Sequence, residues 1–249
     1  MIKVPFAPPR MDQKIVDEVI VTLYSGWITT GPRTRKLEEN LESYVGVSNV
    51  VCLGSATAGM ELALRWFGIG EGDEVIVPVY TYCSTANVVL HCGATVVFCD
   101  IRNDFNIDIS KIEALITDKT KAIMPVDIGG MPCEFDELMA LVKKNDIQQK
   151  FTPKTEEQKQ LNRILVLADA AHSFGANYKG RMSGSLADIS TFSFHAVKNL
   201  VTAEGGAVCL NLPIPFDNGS VAKGLKRNSL HGQSKDALAK TKAGGSTRN

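Results

Sequence analysis

Seven short apolar runs, separated by helical patterns and turns, most constrain how these 249 residues can fold. They cover residues 50–53, 74–79, 95–99, 122–127, 164–169, 189–194 and 207–211. Runs of this length, rich in Val, Ile and Ala and bounded by Gly, Pro or Asp, read as buried strands. Their alternation with helices predicts an α/β domain built on a largely parallel sheet. The length suffices for one large domain with a substantial core. The 27 basic residues equal the 27 acidic ones, so no net charge points to nucleic acid or an anionic membrane surface. No apolar run approaches the ~18 residues of a membrane span. The N-terminus shows no signal-peptide pattern, and the cytoplasm is the expected compartment. Cysteines 52, 83, 92, 99, 133 and 209 form no CxxC pair and predict reduced, packed thiols, Cys83 among them, with neither disulfides nor a metal site.

Two runs end on chemistry. The strand Leu165–Asp169 delivers a carboxylate at its tip, followed by Ala170, Ala171 and His172. The run ending at Phe194 is followed by Lys198, 29 residues after Asp169. Such a pair suits pyridoxal phosphate, whose aldehyde condenses with the amine while the carboxylate keeps the ring nitrogen protonated. Alone, each would be an ordinary strand-end Asp or surface Lys. Gly54-Ser55-Ala56-Thr57-Ala58-Gly59, between a strand and a helix, offers small side chains and free N–H groups to a phosphate. Ser55 or Thr57 acting as a plain N-cap fits the same residues. Tyr82, after the run ending Val77-Pro78-Val79, is placed to stack on a flat ring or to fill the core. Residues 143–163 are polar and read as a surface insertion or solvated helix extension. The pattern weakens after Pro213, which predicts a core over residues 1–212 and a loop-rich, mobile tail over 213–249.

In order and spacing these segments resemble the DegT/DnrJ/EryC1/StrS family of sugar aminotransferases. The matching motifs are Ser55-Ala56-Thr57, Pro78-Val79-Tyr80-Thr81-Tyr82, Asp169-Ala170-Ala171-His172, Ser193-Phe194 through Lys198, and Glu204-Gly205-Gly206. Ala56 stands where the family motif has Gly. The resemblance implies the three-layer, fold-type-I large domain with pyridoxal phosphate as cofactor. Thr57, Ala58 and Ser193 would hold the phosphate, Tyr82 would stack on the ring, and His172 would lie near the ring hydroxyl. Asp169 would pair with the ring nitrogen, and Lys198 would carry the cofactor; in the family's dehydratases a His stands there. Asn228 would reach the phosphate of a partner subunit, making a homodimer with shared sites. Glutamate would donate the amine to a nucleotide-linked keto-sugar, for surface polysaccharide or deoxyaminosugar synthesis. His195 reads as a packing residue. Family members continue into a small C-terminal domain that this sequence lacks. A non-catalytic cofactor-binding or regulatory member is the alternative, followed by a fold-type-I enzyme for another substrate and a nucleotide-binding module.

Overall fold

The computed structural model describes residues 7–230 and 232. Helices α1 (Gln13–Tyr24) and α2 (Pro32–Val45) come first, and Gly46 ends α2 in the left-handed region at φ 79°. There follow β1 (Asn49–Leu53), α3 (Ala56–Trp66), β2 (Glu74–Pro78), α4 (Cys83–His91), β3 (Thr95–Cys99), α5 (Ile109–Ile112) and β4 (Thr120–Ile123). Then come α6 (Phe135–Leu141), α7 (Asn145–Lys150), α8 (Glu156–Leu161) and β5 (Leu165–Asp169). The hairpin β6 (Asn177–Tyr178) and β7 (Arg181–Met182) precedes β8 (Ile189–Ser193), β9 (Gly206–Leu210) and α9 (Asn218–Ser229).

All seven apolar runs are strands of one sheet in the order β1-β9-β8-β5-β4-β2-β3. Strands β8, β5, β4, β2 and β3 pair in parallel, and β9 is antiparallel to both of its neighbours. Two antiparallel steps through β9 leave β1 running with the parallel set. The carboxyl ends of β1, β2, β4, β5 and β8 therefore share one edge, where ligands bind in open α/β sheets. The expected largely parallel sheet is present.

Side-chain alternation separates two cores. On β9, Val208 and Leu210 join the large cluster with α3, α4 and α6, whereas Ala207 and Cys209 face a smaller cluster with Leu41 and Val45 of α2. The helix α2 also guards the sheet's edge. Glu42 accepts the N–H of Val50 at 3.0 Å and Glu38 that of Cys52 at 3.1 Å, satisfying β1 groups that no strand covers.

Two expectations need correction. Residues 143–163 lie largely at the surface, as expected, but are anchored rather than a solvated helix extension: Ile147, Phe151, Gln158 and Leu161 are buried, and the Gln158 amide donates to the Phe67 carbonyl at 2.9 Å. The polar residues lie outside while a few anchors fasten α7 and α8 to the body. Nor is the stretch after Pro213 loop-rich throughout. Asp217 caps α9, Leu225 is fully buried, Phe216 meets Trp66 edge-on, and Lys226 reaches Glu38 at 2.5 Å. These anchors are single residues spaced among polar ones, so the periodicity is faint. The remainder of the expected tail lies outside the described residues.

Candidate active site

A cavity of about 450 Å³ opens at the carboxyl edge of the sheet. Its walls include Thr57, Tyr82, Asp169, His172, Ser193 and Lys198, six of the eight expected site residues, drawn from four separate strand ends. The local folding explains each placement.

Ser55 ends the turn after β1 and is the N-cap of α3, its hydroxyl accepting the Ala58 N–H at 3.0 Å. The cap role thus falls to Ser55, and Thr57 is left to face the cavity. Two glycines let this helix start lie on the sheet. A Cβ on Gly206 would stand 2.5 Å from the Ala56 nitrogen, and one on Gly59 would stand 2.9 Å from the Val208 side chain. Tyr82 is the N-cap residue of α4 and is 72% exposed, which removes the core-aromatic reading.

The Lys198 loop is the hairpin connection between β8 and β9. Phe194 closes its base, donating to the Gly205 carbonyl at 2.8 Å and accepting from Thr202 at 2.8 Å. Asn199 stitches the loop across to the Phe174 carbonyl at 3.1 Å, beside the turn that carries His172.

Asp169 is 3% exposed. Among the described residues its carboxylate accepts only from the Thr85 hydroxyl at 2.8 Å and the Ala171 N–H at 3.2 Å. Burial pushes the Asp169 carboxyl up, against the lowering effect of those two hydrogen bonds. Burial lowers the Lys198 amine, partly offset by the charge of Asp169. His172 is open to solvent on one side, yet burial of its remainder and the nearby Lys198 charge hold its imidazole below the ordinary value.

Two expected residues lie elsewhere. Ala58 is outside the cavity wall, its side chain in a shallow slot with Leu62, Arg65 and Ser229. Successive helix positions are rotated by about 100°, so Thr57 and Ala58 cannot share a face. Asn228 is exposed on α9, away from this chain's cavity. Two packing assignments are also overturned. His195 is exposed on the cavity wall, 3.7 Å from Glu204, and Cys83 is exposed at the start of α4.

Three residues in or behind the walls have no role assigned by the motifs, Glu204 although it belongs to one of them. Thr85 holds Asp169, and its hydroxyl is 2.7 Å from that of Thr81. Their i, i+4 spacing on one helix start was the available signal. Glu204 lies at the mouth. Asp127 is 1% exposed behind the wall, and burial pushes its carboxyl up to about 6 despite hydrogen bonds from Ser173 and Cys133. No helix among the described residues is long and apolar enough to cross a membrane, and no cluster there has the makings of a metal site.

The sheet order, the hairpin lysine and the strand-end aspartate define the large domain of a fold-type-I transferase. Comparison makes the assignment specific. The description of the DegT/DnrJ/EryC1/StrS aminotransferase family matches residues 9–149 and 154–248, and the chain belongs to that family. The spore coat polysaccharide biosynthesis protein SpsC of Bacillus subtilis is 39% identical over 97% of this chain and 57% of its own. The PMP form of Spr1654 from Streptococcus pneumoniae superposes with a TM-score of 0.91 at 46% identity, over 94% of this chain and 59% of that one. Helicobacter pylori PseC, an aminotransferase of pseudoaminic acid biosynthesis, gives 0.76 at 32% identity over 90% and 55%. The chain thus spans somewhat under three fifths of the length of these relatives.

Proposed function

We propose that this chain is the cofactor-binding large domain of a pyridoxal-phosphate-dependent aminotransferase that aminates a nucleotide-linked keto-sugar, with glutamate as donor. The observation that carries the reading is Asp169: a buried carboxylate with no cation in contact among the described residues, on a cavity whose wall also bears Lys198, whose charge acts on it only at longer range. A buried anion of this kind calls for a positive group, and a protonated pyridine nitrogen supplies one. The cavity has the small-residue wall, the half-buried amine and the exposed aromatic that the rest of such a cofactor needs. The relatives give the reading its direction: Spr1654 is known in PMP and PLP forms, and SpsC and PseC are named for polysaccharide and pseudoaminic acid synthesis.

When bound, pyridoxal phosphate supplies an electron sink that stabilises negative charge on the carbon next to the amine. Everything else is done by residues of the chain. Lys198 would hold the cofactor through its amine and would serve as the general base and acid that carries a proton at the reacting carbon. Its lowered pKa raises the fraction of neutral amine available for that work. Asp169 would hold the proton on the ring nitrogen. Tyr82 would cover one face of the ring, Thr57 and Ser193 would take the phosphate, and His172 would lie toward the ring hydroxyl. In this reading Asn228 completes the phosphate site of a second copy, so that the active form is a homodimer working in the cytoplasm.

The test is spectroscopic and then kinetic. Purified protein titrated with pyridoxal phosphate should show a visible band that borohydride fixes to Lys198. With glutamate and a keto-sugar nucleotide it should form the amino-sugar. Asp169→Asn should retain the fold and lose turnover by about two orders of magnitude or more. A cofactor band without amine transfer would favour a non-catalytic member of the family; no band at all would remove the proposal.

A further inference from the structure

Asp127 is a buried titratable residue that the proposed chemistry leaves without a task. It follows β4 between Val126 and Ile128, both of which line the cavity. Its own side chain turns behind the wall, at the step (φ −81°, ψ 76°) where the chain leaves the sheet for the 3-10 turn Ile128–Gly130. There one carboxylate oxygen accepts the Cys133 N–H at 3.0 Å, and the other accepts the Ser173 hydroxyl at 2.6 Å. The Ser183 hydroxyl stands 2.6 Å from that of Ser173 and 3.4 Å from the same carboxylate oxygen, extending the network to the end of the β6–β7 hairpin.

These contacts converge on one turn. The Asp127 N–H donates to the Asp169 carbonyl at 3.1 Å, and its carboxylate grips Ser173, the residue after His172. Between those grips, Gly130 lies against the His172 carbonyl, so close that a Cβ there would stand 3.0 Å from that oxygen. Gly130 also has φ 88°, and its N–H returns to the Asp127 carbonyl at 3.1 Å. Residues 127–133 thus form a cradle under residues 169–173, and Asp127 fastens it at both ends.

We propose that Asp127 is a positioning residue for the site: by holding Asp169 through its backbone and Ser173 through its carboxylate, it sets the turn that aims Asp169 and His172 into the cavity. The inference rests on the cofactor reading for its consequence but not for its geometry. Residues that hold a ligand-contacting turn from behind orient the groups that touch the ligand, and their loss costs affinity without removing a contact.

The test has one arm that needs no cofactor. In Asp127→Ala, amide exchange at Ala170–Ser173 of the cofactor-free protein should accelerate by about tenfold or more while β2 and β3 keep their protection. The dissociation constant for pyridoxal phosphate should rise about tenfold, and the pH midpoint of the bound cofactor's visible band should shift. Asp127→Asn still accepts from Cys133 and can donate to Ser173, so it should restore both exchange protection and affinity. If Asp127→Ala does not fold, Ser173→Ala removes one grip from the same turn and should show the same local acceleration in smaller measure. Unchanged exchange at Ala170–Ser173 in a folded variant would overturn the inference, as would an acceleration spread evenly over the whole sheet. Failure of the parent protein to bind pyridoxal phosphate would count against the cofactor reading alone, because the exchange arm is read without it.

Discussion

The Thr85 hydroxyl donates to Asp169 across a buried 2.8 Å hydrogen bond that ties the first turn of α4 to the end of β5. It matters because Asp169 has no charged partner in contact among the described residues, so this bond and the Ala171 N–H are what hold a buried carboxylate. A hydrogen bond to a charged group is worth roughly 1.5–3 kcal/mol. Thr85→Val keeps the shape and deletes the donor, so the Asp169 carboxyl should move further up and its grip on a ring nitrogen should weaken. We expect affinity for pyridoxal phosphate to fall about tenfold, with Thr85→Ser recovering most of it. Titration of the visible band decides the matter; parental affinity in Thr85→Val would assign the bond a packing role only.

Lys198→Ala should abolish the lysine adduct that borohydride fixes, because no other lysine among the described residues lines this cavity. Its stability should stay within about 0.5 kcal/mol of the parent, since a half-buried amine whose charge is disfavoured by burial contributes little to the fold. Peptide mapping by mass spectrometry gives the answer, and a modified peptide bearing a different lysine would undo the assignment.

The strands and the two chemical termini were legible because each rests on local pattern: an apolar run, then a carboxylate or an amine just past its end. What supports them was not. Thr85 and Asp127 act through contacts between residues far apart in sequence, and nothing in the letters around Asp127 says that its carboxylate will meet Ser173 and Ser183. The same limit hid α9, whose burial depends on Leu225 and the Lys226–Glu38 pair amid polar neighbours. The motif supplies the residue type at Ala58 but not which way its methyl points, which helix rotation decides.

The Lys226–Glu38 contact should be measurable as stability. Glu38 is 5% exposed and also accepts the Cys52 N–H, so it joins α9, α2 and the edge strand β1. Lys226→Met preserves the stem of the side chain and leaves a buried carboxylate without its cation. The expected loss is about 1–3 kcal/mol, less than for a fully buried pair because Lys226 is 36% exposed. Lys159→Met, which breaks the exposed pair with Glu156, should cost under about 0.5 kcal/mol and is the control. Urea unfolding of the three proteins, followed by far-UV circular dichroism, would reveal the difference; equal midpoints would show that α9 is held by Leu225 and its neighbours alone.

Asp127 should give the cofactor-free protein a distinctive dependence on pH. Burial raises its carboxyl to about 6 in the native state, whereas an unfolded chain titrates it near about 3.9. Between those values the native protein holds a proton that the unfolded chain has released, so stability from this group falls as pH rises through the window. Two pK units correspond to at most ~3 kcal/mol, fully expressed above the native value. Asp169, also raised by burial, adds a slope of the same sign. His172, held below its ordinary value, adds the opposite one, since falling pH protonates the unfolded imidazole first. Comparison with Asp127→Asn separates these contributions, because the variant keeps the Cys133 and Ser173 partners and cannot ionise. Its stability relative to the parent should increase from pH 4 to pH 7, by up to ~3 kcal/mol. Denaturant titrations at several pH values read that difference directly. A constant offset across the range would mean that the Asp127 carboxyl is already ionised at pH 4 and that the cradle is held by a charge rather than by a proton-sharing network.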